Sequence, residues 1–341
     1  MSLSSMSRRA CVLAALGSML VGCTQESAPA PASAPASAPA PAAVVQPKAV
    51  SVISIVEHPA LDAIRDGVKE ELEAAGYKDD KLKWQYQSAQ GNTGTAGQIA
   101  RKYIGEKPDV IVAIATPSAQ AVVAATKEIP VVYSGVTDPV AAQLVPSWEA
   151  SGTNVTGVSD LLPLDGQADL IRRIVPAAKR VGMVYNPGEA NSKVVVDEFK
   201  RILPAKGMEL VEAAAPRTVD IPSAVRSLAG KVDVIYTNTD NNVVSAYESL
   251  AQAAGELKIP LVAADTDSVK RGAVAALGQD YRGIGRQTGR MVVRILAGEK
   301  PGTIPSETGK QLDLTINAKA AEAQGVTLSE DIVKEAKEVL R

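Results

Sequence analysis

The sequence predicts an α/β protein of two Rossmann-like lobes, each a parallel sheet flanked by helices. Three observations lead there. From Ala49 onward, short β-branched runs alternate with longer stretches of helical spacing, the pattern of parallel sheets covered by helices. The alternation occurs twice, in two series joined near Asn154–Leu162. About 290 of the 341 residues lie in this region, and at about 150 residues per domain that length makes two.

Each element has its own warrant. Val50–Val56 is apolar and stops at Glu57-His58-Pro59, so it reads as a buried parallel strand. The helical spacing from Leu61 to Ala75 ends at Gly76, a C-cap signal. Leu82–Tyr86 is a strand, Thr95–Ile104 a helix and Asp109–Ala115 a strand. Pro117–Ala125 is a helix with proline in its first turn, and Pro130–Ser134 a fourth strand. The second series places strands at Val181–Tyr185, Met208–Ala213, Val232–Thr237, Pro260–Ala263 and Ala273–Leu277. Its helices are Ser192–Leu203, Ile221–Leu228 and Val243–Leu257. After Leu277 a long helix, Ile284–Leu296, and a strand, Leu312–Ile316, remain, and the topology lets them cross back to complete the first lobe. The lobes are expected at 49–158 with 280–312 and at 159–279 with 313–341.

Composition narrows the chemistry. The net charge of −2 points neither to nucleic acid nor to an anionic membrane surface. Both cysteines, Cys11 and Cys23, lie in the first 23 residues, so the body has no thiol nucleophile, disulfide or cysteine metal ligand. One histidine, His58, rules out a His-rich metal site. One Phe, two Trp and eight Tyr leave the core to Val, Ile, Leu and Ala. No cofactor or metal is implied.

The N-terminus has its own logic. Arg8 and Arg9 precede an apolar run from Ala10 to Leu20, shorter than the roughly 18 to 20 residues a membrane span needs, so it reads as an export signal over 1–22. Leu20-Val21-Gly22-Cys23 resembles the bacterial lipobox, which implies cleavage before Cys23 and lipidation of its sulfur. Ser7-Arg8-Arg9 partly resembles a twin-arginine signal, but the residues after it fit poorly. Residues 23–48 are an Ala/Pro-rich linker: from Ala28 to Pro47 the chain is almost entirely Ala, Pro, Ser and Val. Such a segment buries no core and extends at about 3.1 Å per residue, a leash between lipid and body.

In open parallel sheets, ligands sit beyond the carboxyl ends of the strands. The residues there are Glu57, His58 and Pro59; Thr116 and Ser118; Ser134, Thr137 and Asp138; then Asn191 and Ser192, Asp240 and Asn241, and Asp265. Hydroxyls, amides and carboxylates in two facing rows would line a cleft between the lobes. Most such residues before helices are ordinary N-caps, and a helix N-terminus also offers free N–H groups to an anion. Asp265 stands apart, since no good helix follows it directly.

Several of these tips also carry a family likeness. Glu-His-Pro-Ala-Leu-Asp (57–62), Ala-Gln-Gly-Asn (89–92), Ala-Thr-Pro-Ser-Ala-Gln (115–120), Val-Thr-Asp-Pro-Val-Ala-Ala (136–142), Asn-Val-Thr-Gly-Val-Ser-Asp (154–160), Tyr-Asn-Pro-Gly-Glu-Ala-Asn-Ser (185–192) and Thr-Asp-Asn-Asn (239–242) are similar to the ABC-transporter substrate-binding proteins of the tryptophan/tyrosine-binding type. The similarity runs from about Ser51 to Val326; Gly91-Asn92 departs where the family often has Gly-Asp. The resemblance implies a type I periplasmic-binding fold, with a three-segment hinge and a ligand closed in the cleft. It implies no catalysis, a monomer, and delivery of a small solute, often an aromatic amino acid, to a membrane permease with an ATPase partner. An amino acid's carboxylate would suit the helix starts at Thr116-Pro117-Ser118 or Asn191-Ser192, its ammonium Asp265, Asp240 or Glu57, and its side chain Pro59, Ala60 and Tyr281. The alternatives are a lipoprotein sensor for the same or another solute, such as a nucleoside or sugar, and a hydrolase or isomerase built on Asp240 and Asp265.

Overall fold

The first apolar run forms β1 (Lys48–Ser54), and wholly buried Val50, Val52 and Ile53 place it inside a sheet. The structure is a computed structural model that describes residues 46–341. The leader, Cys23 and nearly all of the Ala/Pro-rich segment lie outside the described residues. Among the described residues, no helix is long and apolar enough to cross a membrane.

After β1 come α1 (Pro59–Ala74), β2 (Leu82–Ser88), α2 (Thr93–Glu106), β3 (Val110–Ile114), α3 (Thr116–Ala125), β4 (Val131–Ser134) and β5 (Val155–Ser159). The second series runs α4 (Leu164–Ile174), β6 (Arg180–Tyr185), α5 (Ala190–Ile202), β7 (Glu209–Ala214), α6 (Ile221–Ser227), β8 (Val234–Thr237), α7 (Asn241–Ser245), α8 (Tyr247–Glu256), β9 (Leu261–Ala263), α9 (Asp267–Lys270) and β10 (Ala275–Gln279). The chain then forms α10 (Tyr281–Leu296), β11 (Glu307–Thr308), β12 (Leu312–Asn317), α11 (Ala318–Ala323), α12 (Glu330–Glu335) and β13 (Glu338–Leu340).

The first sheet has the order β2-β1-β3-β4-β5-β11, all parallel. The second is β7-β6-β8-β9-β10-β12-β13, parallel except where β12 runs antiparallel to β10. Both sheets thus reverse their strand order once, between β1 and β3 and between β6 and β8. Such switch points leave a crevice at the carboxyl ends of the strands. The chain passes between the sheets three times: from β5 to α4, from β10 to α10, and from β11 to β12.

Three sequence expectations need correction. Only the helix of the last pair returns to the first lobe, where α10 lies along α1; the strand over 312–316 adds to the second sheet instead. The helix read over Val243–Leu257 breaks at Ala246 into α7 and α8. The junction near Asn154–Leu162 is itself a strand, β5, fully buried next to β4.

Gly67 and Gly285 let α1 and α10 approach. A Cβ on Gly285 would stand 2.3 Å from the Ile64 carbonyl oxygen, and one on Gly67 2.5 Å from that of Arg282. Both helices flank the first sheet through buried Ile64, Val68 and Leu72 on α1 and Met291 and Val292 on α10. This contact fixes the start of α10, and with it Tyr281, beside the crevice.

Candidate functional site

The carboxyl ends of both sheets meet around a narrow cavity of about 30 Å³. Every residue that lines it follows a strand. From the first sheet come His58, Ala60 and Leu61 after β1, Ala115 and Thr116 after β3, Gly135 and Thr137 after β4, and Asp160 after β5. From the second come Asn191 after β6, Thr239, Asn241 and Val244 after β8, Asp265 after β9 and Tyr281 after β10. His58, Thr116, Thr137, Asp160, Asn191, Asp265 and Tyr281 are each at most 7% exposed, so the strand tips are shut over the space between them.

One wall is a donor surface. His58 caps α1, and its Nδ1 accepts the Ala60 N–H at 3.3 Å. A nitrogen that accepts has no proton, so the neutral ring carries its hydrogen on Nε2. That atom is buried with no protein partner. Burial lowers the pKa of His58 against the nearby Asp265 carboxylate, which pulls the other way, so the ring is neutral at pH 7. Beside it α3 begins with no side-chain cap. The first N–H groups of a helix have no acceptor within it. Pro117 has none to offer, which leaves those of Thr116 and Ser118. Ala115 holds this start open at φ 70° and ψ 155°, a conformation nearly confined to glycine, with its N–H fixed on the Ser134 carbonyl at 2.9 Å.

Carboxylates and amides line the same space. Asp265 accepts the Ser268 N–H at 2.9 Å and the Ser268 hydroxyl at 2.6 Å. The short helix α9 begins just past it, so Asp265 also closes a helical turn, which the sequence had not announced. Asp160 receives the Tyr281 hydroxyl at 3.2 Å and the Thr137 hydroxyl at 3.3 Å. Burial outweighs these two donors and pushes its pKa up to about 6. Asn191 and Asn241 are both anchored on Glu189 Oε2, at 3.0 and 2.6 Å, which leaves Asn191 Oδ1 buried without a donor. Burial, and then the nearby Asp240, raise Glu189 to about 7.

Of the residues singled out in the sequence, His58, Ala60, Thr116, Thr137, Asn191, Asn241, Asp265 and Tyr281 line the cavity. The rest stand behind or outside it. Asp240 binds the Asn186 N–H, the Ser192 hydroxyl and the Val243 N–H at 2.7, 2.6 and 3.0 Å, so Asp240 and Ser192 tie α5 to α7. Burial raises the Asp240 pKa and these donors lower it, with burial ahead. An acid–base pair of Asp240 and Asp265 therefore lacks a free first member. Ser134 bonds the Thr288 hydroxyl at 2.7 Å, and Asp138 caps Val140 and Ala141 at 2.8 and 3.0 Å. Ser118 is buried one turn into α3 with its hydroxyl unpartnered. Exposed Glu57 accepts from Gln90 at 2.7 Å, and Pro59 is the exposed first residue of α1. Asp160, Glu189 and Thr239 escaped the sequence list. The signal for Asp160 was a carboxylate right after Val155–Ser159, had that stretch been read as a strand.

The chain's relatives agree with this geometry. Residues 49–340 match the family model described as "ABC transporter substrate binding protein". A tyrosine-binding protein of Clostridioides difficile (strain R20291) is 38% identical over 319 residues, covering 93% of this chain and 91% of that protein. Among solved structures, a Streptococcus pneumonia ABC domain in complex with L-Trp is 34% identical, with a TM-score of 0.84 over 86% of this chain and 100% of that one. The ligand-free, open structure of a Clostridium difficile substrate-binding protein with adhesive properties is 39% identical, with a TM-score of 0.66 over 86% and 99%. The two-lobed arrangement is the type I periplasmic-binding fold.

Proposed function

Because the chain belongs to the ABC transporter substrate-binding protein family, we propose that it captures an amino acid with an aromatic side chain and hands it to a permease driven by an ATPase. The observation that carries this reading is that unpartnered donors and carboxylates share the lining of one buried cavity. Buried donors without partners, His58 Nε2 and the open start of α3, line the same space as the carboxylates of Asp265 and Asp160. A zwitterion complements both. Its carboxylate meets N–H groups at a helix N-terminus, where anions are favoured. Its ammonium meets carboxylates from which water has been removed, and Asn191 Oδ1 adds a third acceptor. A sugar or nucleoside would bring no cation to the two carboxylates.

The shut cavity supports a capture mechanism in which the lobes close over the ligand. The fit to the L-Trp complex exceeds the fit to the open, ligand-free structure, although the latter is the more identical chain. A ligand favours closure only by its greater affinity for the closed state. Here that difference arises because Asn191, Asn241 and Asp265 reach the ligand only when the second sheet approaches the first. The permease would read the closed form. The N-terminal sequence supports an extracytoplasmic body tethered through lipid on Cys23.

Thermal-shift screening of the purified protein against amino acids, nucleosides and sugars tests this reading. Stabilisation should grow with ligand as RT ln(1 + [L]/Kd). We expect a rise with Tyr or Trp; a rise with sugars or nucleosides alone would refute it.

A further inference from the structure

The three chain crossings between the sheets are tied to one another. The Gly309 N–H of the third crossing donates to the Ser159 carbonyl, where the first begins, at 2.9 Å. The Asp280 N–H of the second donates to the Gln311 carbonyl of the third at 3.0 Å. The remaining pair is joined by a side chain. Gln279 ends β10 and is 4% exposed, and its Nε2 donates to the Leu161 carbonyl in the first crossing at 3.1 Å. A carbonyl can only accept, which fixes the amide's orientation. The Gln279 oxygen then lies against Gly309, buried and without a donor. A Cβ on Gly309 would fall well inside contact distance of that oxygen and 2.8 Å from Gln279 Cδ. One buried amide thus touches all three crossings, and it fits because residue 309 carries no side chain. Neither Gln279 nor Gly309 is among the residues that line the cavity.

We propose that Gln279 is a positioning residue of the hinge, whose amide locks the three crossings in the closed arrangement, with Gly309 as the gap that admits it. This rests on the closure reading above and adds to it the residues that set how firmly the closed form holds. When two lobes turn about the segments that join them, those segments absorb the rotation. A side chain that bridges two of them while pressed on the third changes its contacts through that twist, so it favours one state over the other. Here the contacts are made while the strand tips are shut, so the favoured state is the closed one. The stability of that state enters ligand affinity directly, because the closed form is the one that holds the ligand. Loss of the lock therefore speeds ligand release from a site whose own residues are untouched.

Stopped-flow kinetics and small-angle scattering of the purified protein with L-tyrosine or L-tryptophan test this. In Gly309→Ala the new methyl displaces the Gln279 amide from Leu161. We expect dissociation about tenfold faster at an unchanged association rate, and a smaller contraction on ligand binding than in the unaltered protein. Gln279→Ala should also release ligand faster. Adding G309A to Q279A should change the rate by less than about threefold, because the methyl then meets no amide. Unchanged dissociation in the folded single variants would overturn the proposal, as would losses that simply add in the double variant. So would a fall in the stability of ligand-free Q279A with release unchanged, the mark of a merely structural role. Q279A only removes atoms, and it decides the matter even if G309A does not fold. If neither amino acid binds, the amino-acid reading has failed, and the solute that stabilises the protein takes their place in the same experiment. If the unaltered protein binds its ligand without contracting, the closure reading has failed and this inference falls with it.

Discussion

His58 and Asp265 lie on opposite sheets yet feel each other's charge, which ties both to one site. Asp265→Ala would leave a bound ammonium with one buried carboxylate fewer. We expect amino-acid affinity to fall by about 2 kcal/mol or more, read by calorimetry; an unchanged Kd in the folded variant would remove Asp265 from the site. Asp160 gives a pH signature. Its carboxyl titrates near pH 6 in the free protein, raised by burial, and an ammonium pairs only with the ionised form. Affinity should be flat above pH 7 and drop as pH falls through about 6, by up to about tenfold per unit. In Asp160→Asn the slope should vanish and the plateau should be lower. A slope retained in that variant would assign the titration elsewhere. At this scale a polar residue after an apolar run reached the cavity wall at His58, Thr116, Asn191 and Asp265. The same pattern holds at Asp240 and Ser192, which tie α5 to α7, because the residue type that lines a cavity is also the type that joins two helices, and only packing separates the roles.

At the scale of elements, α1 and α10 show how a late segment completes an early lobe. Gly285 meets the Ile64 carbonyl and Gly67 that of Arg282, so the backbones touch with no side chain between them. Replacing a mid-helix glycine by alanine normally gains up to about 1 kcal/mol. At Gly285 the added methyl would press on backbone that cannot swing aside, and overpacking costs about 1–3 kcal/mol. We therefore expect Gly285→Ala to destabilise the protein in urea unfolding; stabilisation would show that the helices part easily. The strand-helix alternation was legible because period-2 and period-3.6 patterns differ. β5 was not, because Val-Thr-Gly-Val-Ser is short and its glycine faces Tyr133 rather than packing a side chain of its own. Nor did β12 reveal its sheet, since strand pairing depends on long-range topology and β12 runs against β10.

For the whole molecule, two switch points facing one space make the cavity a product of both lobes, and three chain crossings link them. The family likeness on the strand tips anticipated this architecture; amphipathic spacing alone gave two lobes without saying that they share a site. The tether reading makes a separate prediction. Cys23→Ser should release the protein from membranes in cell fractionation while leaving ligand affinity unchanged; a variant that still sediments with membrane would contradict lipid anchoring. A crystal structure with bound L-tyrosine tests whether a zwitterion is held by the unpartnered donors and the carboxylates that share this cavity. We expect the ligand's carboxylate at His58 Nε2 and the start of α3, and its ammonium on Asp265 and Asp160. A ligand bound outside this cavity, or with its two ends exchanged, would contradict it.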